Sequence, residues 1–484
     1  MLELRPYQQE IIQLARQAFS RCKRVMLSSP TGGGKTNIAM HIVKSSLEKG
    51  KRIAFVVDRL TLLDQTARVF YQQGIDYGVI QGDHPFTDFS KQFQICSAQT
   101  LARRKASDFD FFIFDEAHIT YKHQLEMLKN ANGTYFLGLT ATPFTRGLAK
   151  YWDELVWNKR TGDLIKEGYL SEYEAYGPQE PDLEGVKTVG DDFNKKQLAE
   201  RTDTKKIIGN IVEHFFKFAK DRRTVAMGVN TAHAEHIADE FNKAGIKADF
   251  IHCYLPKEEV KEKLDKFRAG DTQLLSSVDM ISRGFDMPEA DCLIVARPTK
   301  SLNYHLQALG RVLRIADGKQ NALILDHAGN IKRLGLPDDT FEMKLDDGNK
   351  KNASNNPRTK DKIAKPCEKC FFLKTSHKCP KCGFEPEIKR SSGVKTENGS
   401  LVQIQQTRLR QAAPQDKDKI YAKLLAGSRA FGWKDGTAAH KYREYFGVWP
   451  HKKVEHDPQF YEFIKKTHER NPKYAYRIYF SMLQ

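Results

Sequence analysis

The sequence predicts an α/β protein of two parallel-sheet units in series, followed by a small metal-bearing segment and a basic tail. Three observations predict it. Between Arg24 and Asn330, short β-rich apolar runs alternate with longer helical patterns, as they do where parallel strands are covered by helices. A glycine-rich string, Ser29-Pro-Thr-Gly-Gly-Gly-Lys-Thr36, falls between the first such run and the first such helix. Four of the eight cysteines stand in two close pairs, Cys367 with Cys370 and Cys379 with Cys382.

The predicted strands of the first unit are 25–28, 53–57, 93–97, 111–114 and 136–139; those of the second are 224–228, 249–252, 273–277, 292–296 and 322–325. The units, 1–168 and 169–346, join near Gly168. Clusters of Pro, Gly and Asp with weak periodicity make 178–203 a loop-rich approach to the second unit. The Lys, Asn, Ser and Pro of 347–366 read as a linker, 367–390 as the metal-bearing segment and 411–484 as a small helical basic domain.

A chain of 484 residues suffices for two or three domains, each with its own core. Glu3, Arg5, Glu10 and Arg16 break up the apolar residues at the start, unlike the uncharged core of a signal peptide. Nowhere do about 18 apolar residues run together, as a membrane span needs. The expectation is a soluble, cytoplasmic chain with no membrane partner. Of the net charge of +17, residues 351–484 supply most, with 28 Lys and Arg against 13 Asp and Glu; residues 1–350 hold 50 against 48. Such a localised excess is either a solvated lysine-rich face or a phosphate-binding surface. The motifs below favour the second.

The glycine-rich string follows a predicted strand and opens a predicted helix, the setting of a phosphate-binding P-loop. Gly32, Gly33 and Gly34 let backbone N–H groups curl around phosphates, Lys35 brings a charge to the β and γ phosphates, and Thr36 offers a hydroxyl to Mg2+. Ser29, Pro30 and Thr31 complete the loop. Some 80 residues on, Phe111-Phe-Ile-Phe-Asp115-Glu116-Ala-His118 ends an apolar run in two carboxylates, which places them at the mouth of a parallel sheet. Asp115 is suited to holding the magnesium and Glu116 to orienting and deprotonating the attacking water. Alone, such a pair is more often a solvated strand cap; beside a P-loop, ATP hydrolysis is the better reading.

In the second unit Gln307, Gly310, Arg311 and Arg314 are spaced i, i+3, i+4 and i+7, so a helix puts them on one face. Two guanidinium groups on that face can address one polyphosphate, as an arginine finger does. Hydrolysis would then require the two units to close.

These motifs, in this order, resemble those of superfamily 2 helicases over roughly residues 2–330. Leu4-Arg-Pro-Tyr-Gln8 looks like the Q-motif, which implies that Gln8 reads adenine with Arg5 nearby. Residues 59–65 resemble motif Ia, Ser97-Ala-Gln-Thr-Leu101 motif Ic, Thr140-Ala-Thr-Pro143 motif III and 229–234 motif IV. Ser282-Arg-Gly284-Phe-Asp286 resembles motif V, and the Gln307 to Arg314 face motif VI. The resemblance implies two RecA-like domains of the P-loop NTPase class with ATP between them, Gly284 and Asp286 at the nucleotide, and His118, Thr140 and Thr142 in coupling. Leu4 to Glu10, Gly168-Tyr-Leu170, Gly284-Phe-Asp286, Arg297-Pro-Thr299 and Leu325-Asp-His-Ala-Gly-Asn330 look like RadD-like bacterial and phage DNA helicases of DEAH type. That likeness implies work on branched or partly single-stranded DNA in recombination, repair or replication, with proteins of those processes as candidate partners. Thr-Ala-Thr in motif III and the lack of a Pro-Thr-Arg-Glu-Leu segment depart from DEAD-box RNA helicases. An RNA helicase and an ATP-gated clamp without turnover are the alternatives; intact Lys35, Glu116 and Arg314 speak against the clamp.

Cys367-x2-Cys370-x8-Cys379-x2-Cys382 has the two pairs of a tetrahedral Zn2+ site, with Gly383 able to take the positive φ of a metal knuckle. His377 is an alternative ligand, although four cysteines suffice. No open ligand position or nearby acid is evident, so the zinc reads as structural. Beyond Gln411 aromatic and basic residues interleave; Tyr442, Tyr445 and Phe446, at helical spacing, are more often core than base-stacking platforms.

Overall fold

The computed structural model describes residues 3–479 apart from 59, 83, 105–107, 120, 130–132, 178–180, 182, 191, 280–286, 350–363, 386–413, 447–448, 451–453, 473–474 and 476–478. Its first sheet has seven strands: β1 (Arg24–Ser28), β2 (Ile53–Val57), β3 (Gly78–Ile80), β4 (Phe93–Ser97), β5 (Phe111–Phe114), β6 (Tyr135–Thr140) and β7 (Glu154–Val156). They are all parallel and lie in the order β3-β4-β2-β5-β6-β1-β7. Alternate side chains of β1 enter different cores. Val25 and Leu27 meet Ile38 and Val43 of the helix Lys35–Leu47 on one face, while Met26 joins Phe112, Phe136 and Trp152 on the other. Burial on both faces is why these strands read as unbroken apolar runs.

The second sheet is also parallel. It comprises β8 (Tyr173–Tyr176), β11 (Thr224–Met227), β12 (Ala248–Ile251), β13 (Leu274–Ser277), β14 (Cys292–Val295) and β15 (Ala322–Asp326), ordered β12-β13-β11-β14-β15-β8. Between β8 and β11 lies a hairpin of β9 (Thr188–Val189) and β10 (Asp192–Phe193). The core of this sheet takes in Leu164, Leu170 and, from the first helix of the chain, Tyr7.

All ten predicted strands are present within a residue or two. Three more, β3, β7 and β8, were not legible: two have three residues each, and Tyr-Glu-Ala-Tyr of β8 has no β-branched residue. The loop-rich reading of 178–203 is corrected by the hairpin and by a helix, Lys195–Thr202. The helix starts where the Asn194 side chain accepts the Lys196 and Gln197 N–H groups. The hairpin left no hydrophobic signature because β9 is exposed.

Two later segments pack back onto the sheets. The cysteine-bearing segment pairs β16 (Lys365–Pro366) with β17 (Leu373–Lys374) and lies along the free edge of β8. There Phe372 bridges Tyr176 in antiparallel fashion, Gly177 N–H donates to the Phe371 carbonyl at 3.2 Å, and Lys381 meets Glu174 at 2.6 Å. A covered edge is one that cannot recruit another strand. The second is a strap that returns from the second sheet to the first. Leu345 packs into the first sheet's core, the Asp346 carboxylate accepts Gly147 N–H at 2.8 Å and Gly348 N–H at 2.7 Å, and Arg146 donates to the Gly348 carbonyl at 3.0 Å.

A separate compact unit, Lys389–Gln484, contains the helices Pro414–Ala430, Asp435–Phe446 and Pro458–Arg470. Its core is Tyr421, Leu424, Leu425, Ala438, Tyr442 and Tyr479, and the Tyr479 hydroxyl donates to the Leu424 carbonyl at 3.1 Å. Tyr442 is thus core; the side chains of Tyr445 and Phe446 lie outside the described residues. Among the described residues no helix is long and apolar enough to cross a membrane.

Replacing Asp346 with Ala takes the acceptor from two backbone N–H groups at the strap. A cost of about 1–2 kcal/mol is expected, read as a lower midpoint of thermal unfolding. Asp346→Asn, which keeps one oxygen, should lose less; equal melting of the parent and Asp346→Ala would show that the strap is not held there.

Candidate functional site

Parallel strands leave their carboxyl ends on one edge of the sheet, and there the order β5-β6-β1 decides what meets. β1 runs into the glycine-rich loop, β5 into Asp115 and Glu116, and β6, between them, into Thr140 and Thr142. Ser29 N–H donates to the Thr140 carbonyl at 3.0 Å, which joins the loop to β6. The loop turns on Gly32 (φ 85°) and Gly34 (φ 78°), and Gly34 opens the helix that begins with Lys35. A Cβ at Gly34 would run into the Gln8 side chain.

Gln8 is itself buried behind the loop. Its amide donates to the Gly33 carbonyl at 3.1 Å and accepts Arg5 N–H at 3.0 Å, while the Tyr7 hydroxyl donates to the same carbonyl at 2.9 Å. In this structure Gln8 therefore braces the loop. Arg5 lies over the Tyr169 ring, 4.8 Å from its centre, at the wall of the cleft.

Glu116 holds a positive φ of 47°, a strained conformation of the kind that gathers at functional sites. Its backbone N–H donates to the Asp115 carboxylate at 3.0 Å. His118 Nδ1 lies 3.3 Å from the Glu116 carboxylate and 3.1 Å from the Thr140 hydroxyl, which also accepts Thr142 N–H at 3.0 Å. From the second sheet, the Gln307 amide donates to Glu116 at 3.1 Å and to the Thr142 hydroxyl at 3.4 Å.

The helix carrying Gln307, Leu302–Val312, comes this close because Gly310 lies against Thr31, where a Cβ would overlap the threonine side chain. Lys35, Asp115, Glu116, Arg311 and Arg314 then line one cleft of about 750 Å³. Burial, and next the charge of Glu116, push Asp115 up to about 7. Burial would push Glu116 up too, but the hydrogen bond from His118 and the charges of Lys35, His118 and Arg311 outweigh it and draw it down to about 2. Burial lowers Lys35 against the pull of both carboxylates, and lowers Arg311 and Arg314 as well.

The cradle fits a polyphosphate with a divalent cation. A Cβ at Gly33 would fill it, meeting Ser29 Oγ and the Pro30 carbonyl, and Ser29 Oγ is buried without a protein partner. Thr36 and Asp115 offer the oxygen donors that magnesium takes.

Residues 1–145 match the family described as type III restriction enzyme, res subunit, and residues 206–316 match the helicase conserved C-terminal domain. The two matched stretches hold the P-loop with its acidic partners and the arginine face. The chain belongs to the superfamily 2 helicases. A 51.5 kDa protein of a Lactococcus phage is 29% identical over 374 residues, which cover 75% of this chain and 78% of that protein. The putative ATP-dependent helicase IRC3 of Saccharomyces cerevisiae is 28% identical, over 67% of this chain and 51% of its own length, so the chain spans about half of that relative. The DNA 3'-5' translocase XPB2 of Sulfurisphaera tokodaii is 26% identical, over 67% of this chain and 81% of its own. Among solved structures, the fragment of a putative HsdR subunit of a type I restriction enzyme from Vibrio vulnificus shares the fold. Its TM-score is 0.54 at 21% identity, covering 71% of this chain and 66% of that one.

This helicase chain is accordingly a nucleic-acid-dependent ATPase with two RecA-like domains. Of the residues named from sequence, Gly284 and Asp286 lie outside the described residues, while the P-loop, the acidic pair, His118, Thr140, Thr142 and the arginine face share one edge. Sequence reading missed Asn303, whose amide donates to the Thr145 hydroxyl at 3.0 Å across the cleft. The signal was available: Asn303 stands one turn before Gln307, on the same helical face. Asn37, whose amide donates to the Gln8 side-chain oxygen Oε1 at 3.4 Å, had no such signal.

The four cysteines form a second centre. All four Sγ atoms lie within 4.8 Å of one another, and the pairs Cys367–Cys382 and Cys370–Cys379 are 3.7 Å apart. Four thiolates at about 2.3 Å from a tetrahedral zinc are separated by about 3.8 Å, so the spacing suits that metal. The two knuckles repeat each other: Phe371 N–H donates to the Cys367 carbonyl and Gly383 N–H to the Cys379 carbonyl, both at 2.9 Å. Gly383 has a φ of 72°, and Phe371 holds 61° at the matching place. His377 pairs instead with Glu385, at 3.1 Å.

Gly310→Val is expected to keep the second sheet's helix off the P-loop. A misplacement of about 1 Å at a reacting centre can cost about a hundredfold in turnover. ATPase assays at saturating nucleic acid should register a loss of that order with nucleotide binding less affected; parental turnover would rule out this approach as the closing contact.

Proposed function

We propose that the chain is a DNA-dependent ATPase that translocates on and remodels branched or partly single-stranded DNA in recombination, repair or replication. The observation that carries this reading is the Gln307–Glu116 hydrogen bond of 3.1 Å, which joins the water-activating carboxylate of one sheet to the arginine helix of the other. DNA is favoured as the track by the translocase relative, whose name specifies it, and by the departures from DEAD-box sequences.

Lys35 holds the β and γ phosphates of ATP. Thr36 and Asp115 hold the magnesium, which neutralises phosphate charge when bound. Glu116, its charge favoured by His118 and Lys35, takes the proton of the attacking water. Gln307 fixes the direction of that carboxylate, and Arg311 and Arg314 stabilise the charge of the transferring phosphoryl group. Thr140 and Thr142 link His118 to Gln307, so the state of the carboxylate is tied to closure. The Cys367, Cys370, Cys379 and Cys382 centre holds a structural zinc that keeps the ribbon on β8.

Glu116→Gln is expected to bind ATP nearly as the parent does and not to turn it over, because the shape stays and the base goes. Arg314→Ala should lose roughly a thousandfold in turnover, the scale of an arginine finger. Parental hydrolysis by either variant would remove the assignment. Matched DNA and RNA strands, compared as activators of the ATPase, separate the DNA motor from an RNA helicase.

Residues 389–484 carry 19 Lys and Arg against 9 Asp and Glu. Because the ribbon packs on the second sheet, the informative cut is after Ile388. Such a chain should bind DNA more weakly and with a shallower dependence on salt, since fewer counterions are released, while its ATPase still responds to enough DNA. An unchanged salt slope would make the tail's charge a matter of solubility.

A further inference from the structure

The unit Lys389–Gln484, taken by itself, divides its aromatic residues into two sets. Trp433 turns inward, its ring 5.0 Å from Phe431 and 6.0 Å from Tyr479, and Tyr421 meets Tyr442 at 5.2 Å. Trp449 does otherwise. Its ring lies against the helix Asp435–Phe446 with the Arg443 guanidinium 4.6 Å from its centre and the His440 imidazole edge-on at 5.0 Å. It remains 43% exposed, and both partner side chains are exposed.

The helix explains the placement. Ala438 and Tyr442, one turn apart, mark the face buried in the core. At 100° per residue, His440 and Arg443 fall on the opposite side. The unit thus holds its largest kind of apolar ring on the solvent side of a helix, backed by a guanidinium and an imidazole, although burial of such a ring would stabilise the core.

We infer that Trp449, with Arg443 and His440, is a base-stacking site for single-stranded nucleic acid. An indole offers a π face to any base, so the site is tolerant of sequence, and the planar guanidinium adds a second stacking surface and a charge for the adjacent phosphate. The excess of basic residues in the same unit draws the strand's backbone. In a duplex the base faces are covered by their neighbours, so the site selects unpaired bases. A protein partner has no need of that charge excess, which is why nucleic acid is the occupant assigned. The inference rests on the nucleic-acid role proposed above for the tail, and gives it a location.

The test uses the full-length chain with a labelled single strand and a blunt duplex of equal length, over a range of salt. Trp449→Ala should bind the single strand about tenfold or more weakly, and the duplex as the parent does. Trp449→Phe should restore most of the loss, and Arg443→Ala should lower both single-strand affinity and the salt slope, the latter by about 0.7. In ATPase assays Trp449→Ala should raise the single-strand concentration giving half-maximal stimulation and leave the maximal rate unchanged. Parental single-strand binding by Trp449→Ala overturns the inference; if the cut after Ile388 still weakens binding, the tail's broader role survives it. A Trp449→Ala chain that melts earlier, loses single strand and duplex alike and is not rescued by Phe also overturns it, because the ring is then a structural prop.

Discussion

The two sheets share one catalytic edge at a point where a single helix residue has no side chain. Thr31 of the P-loop occupies the space that a Cβ on Gly310 would need. From that contact the rest of the cleft follows by helical geometry: Gln307, one turn earlier, reaches Glu116, and Arg311 and Arg314 enter the nucleotide space. Shifting the helix outward by the width of a methyl group would separate all of these together. The closed cleft is therefore one object, made or unmade as a whole.

The charges in that cleft have an unfinished look that suits its substrate. Arg5, Lys35, Arg311 and Arg314 face Asp58, Asp115 and Glu116, and Asp115 is pressed towards its protonated form. Lys35 and the two arginines of the second sheet are all disfavoured by burial. A polyphosphate supplies the missing negative charge, and a divalent cation beside Asp115 favours its carboxylate. Binding of nucleotide and magnesium thus relieves the same desolvation that closure creates.

Most of this was legible in the sequence, for reasons that can be named. Strands buried on both faces write themselves as apolar runs, and glycine, lysine and threonine in a row have few other uses between a strand and a helix. The four-residue face from Gln307 to Arg314 announced itself by spacing. What stayed hidden depends on long-range packing. Nothing local in Tyr-Glu-Ala-Tyr says that β8 will close one edge of the second sheet and be covered by the cysteine ribbon. Gln8 suggested a reader of adenine by resemblance, and only the fold reveals that its amide is held by Gly33. The basic excess beyond residue 350 read as one tail; the structure divides it between a ribbon on the second sheet and a separate helical unit.

The strap at Asp346 has a mechanical consequence. The chain leaves the first sheet near Asn158, whose amide is fastened to the Tyr7 carbonyl at 2.8 Å, and comes back to that sheet where Asp346 grips Gly147. A rigid body attached to another at two points retains one freedom, rotation about the line through both. If both fastenings hold while the cleft opens, the second sheet can turn only about the line through Asn158 and Asp346.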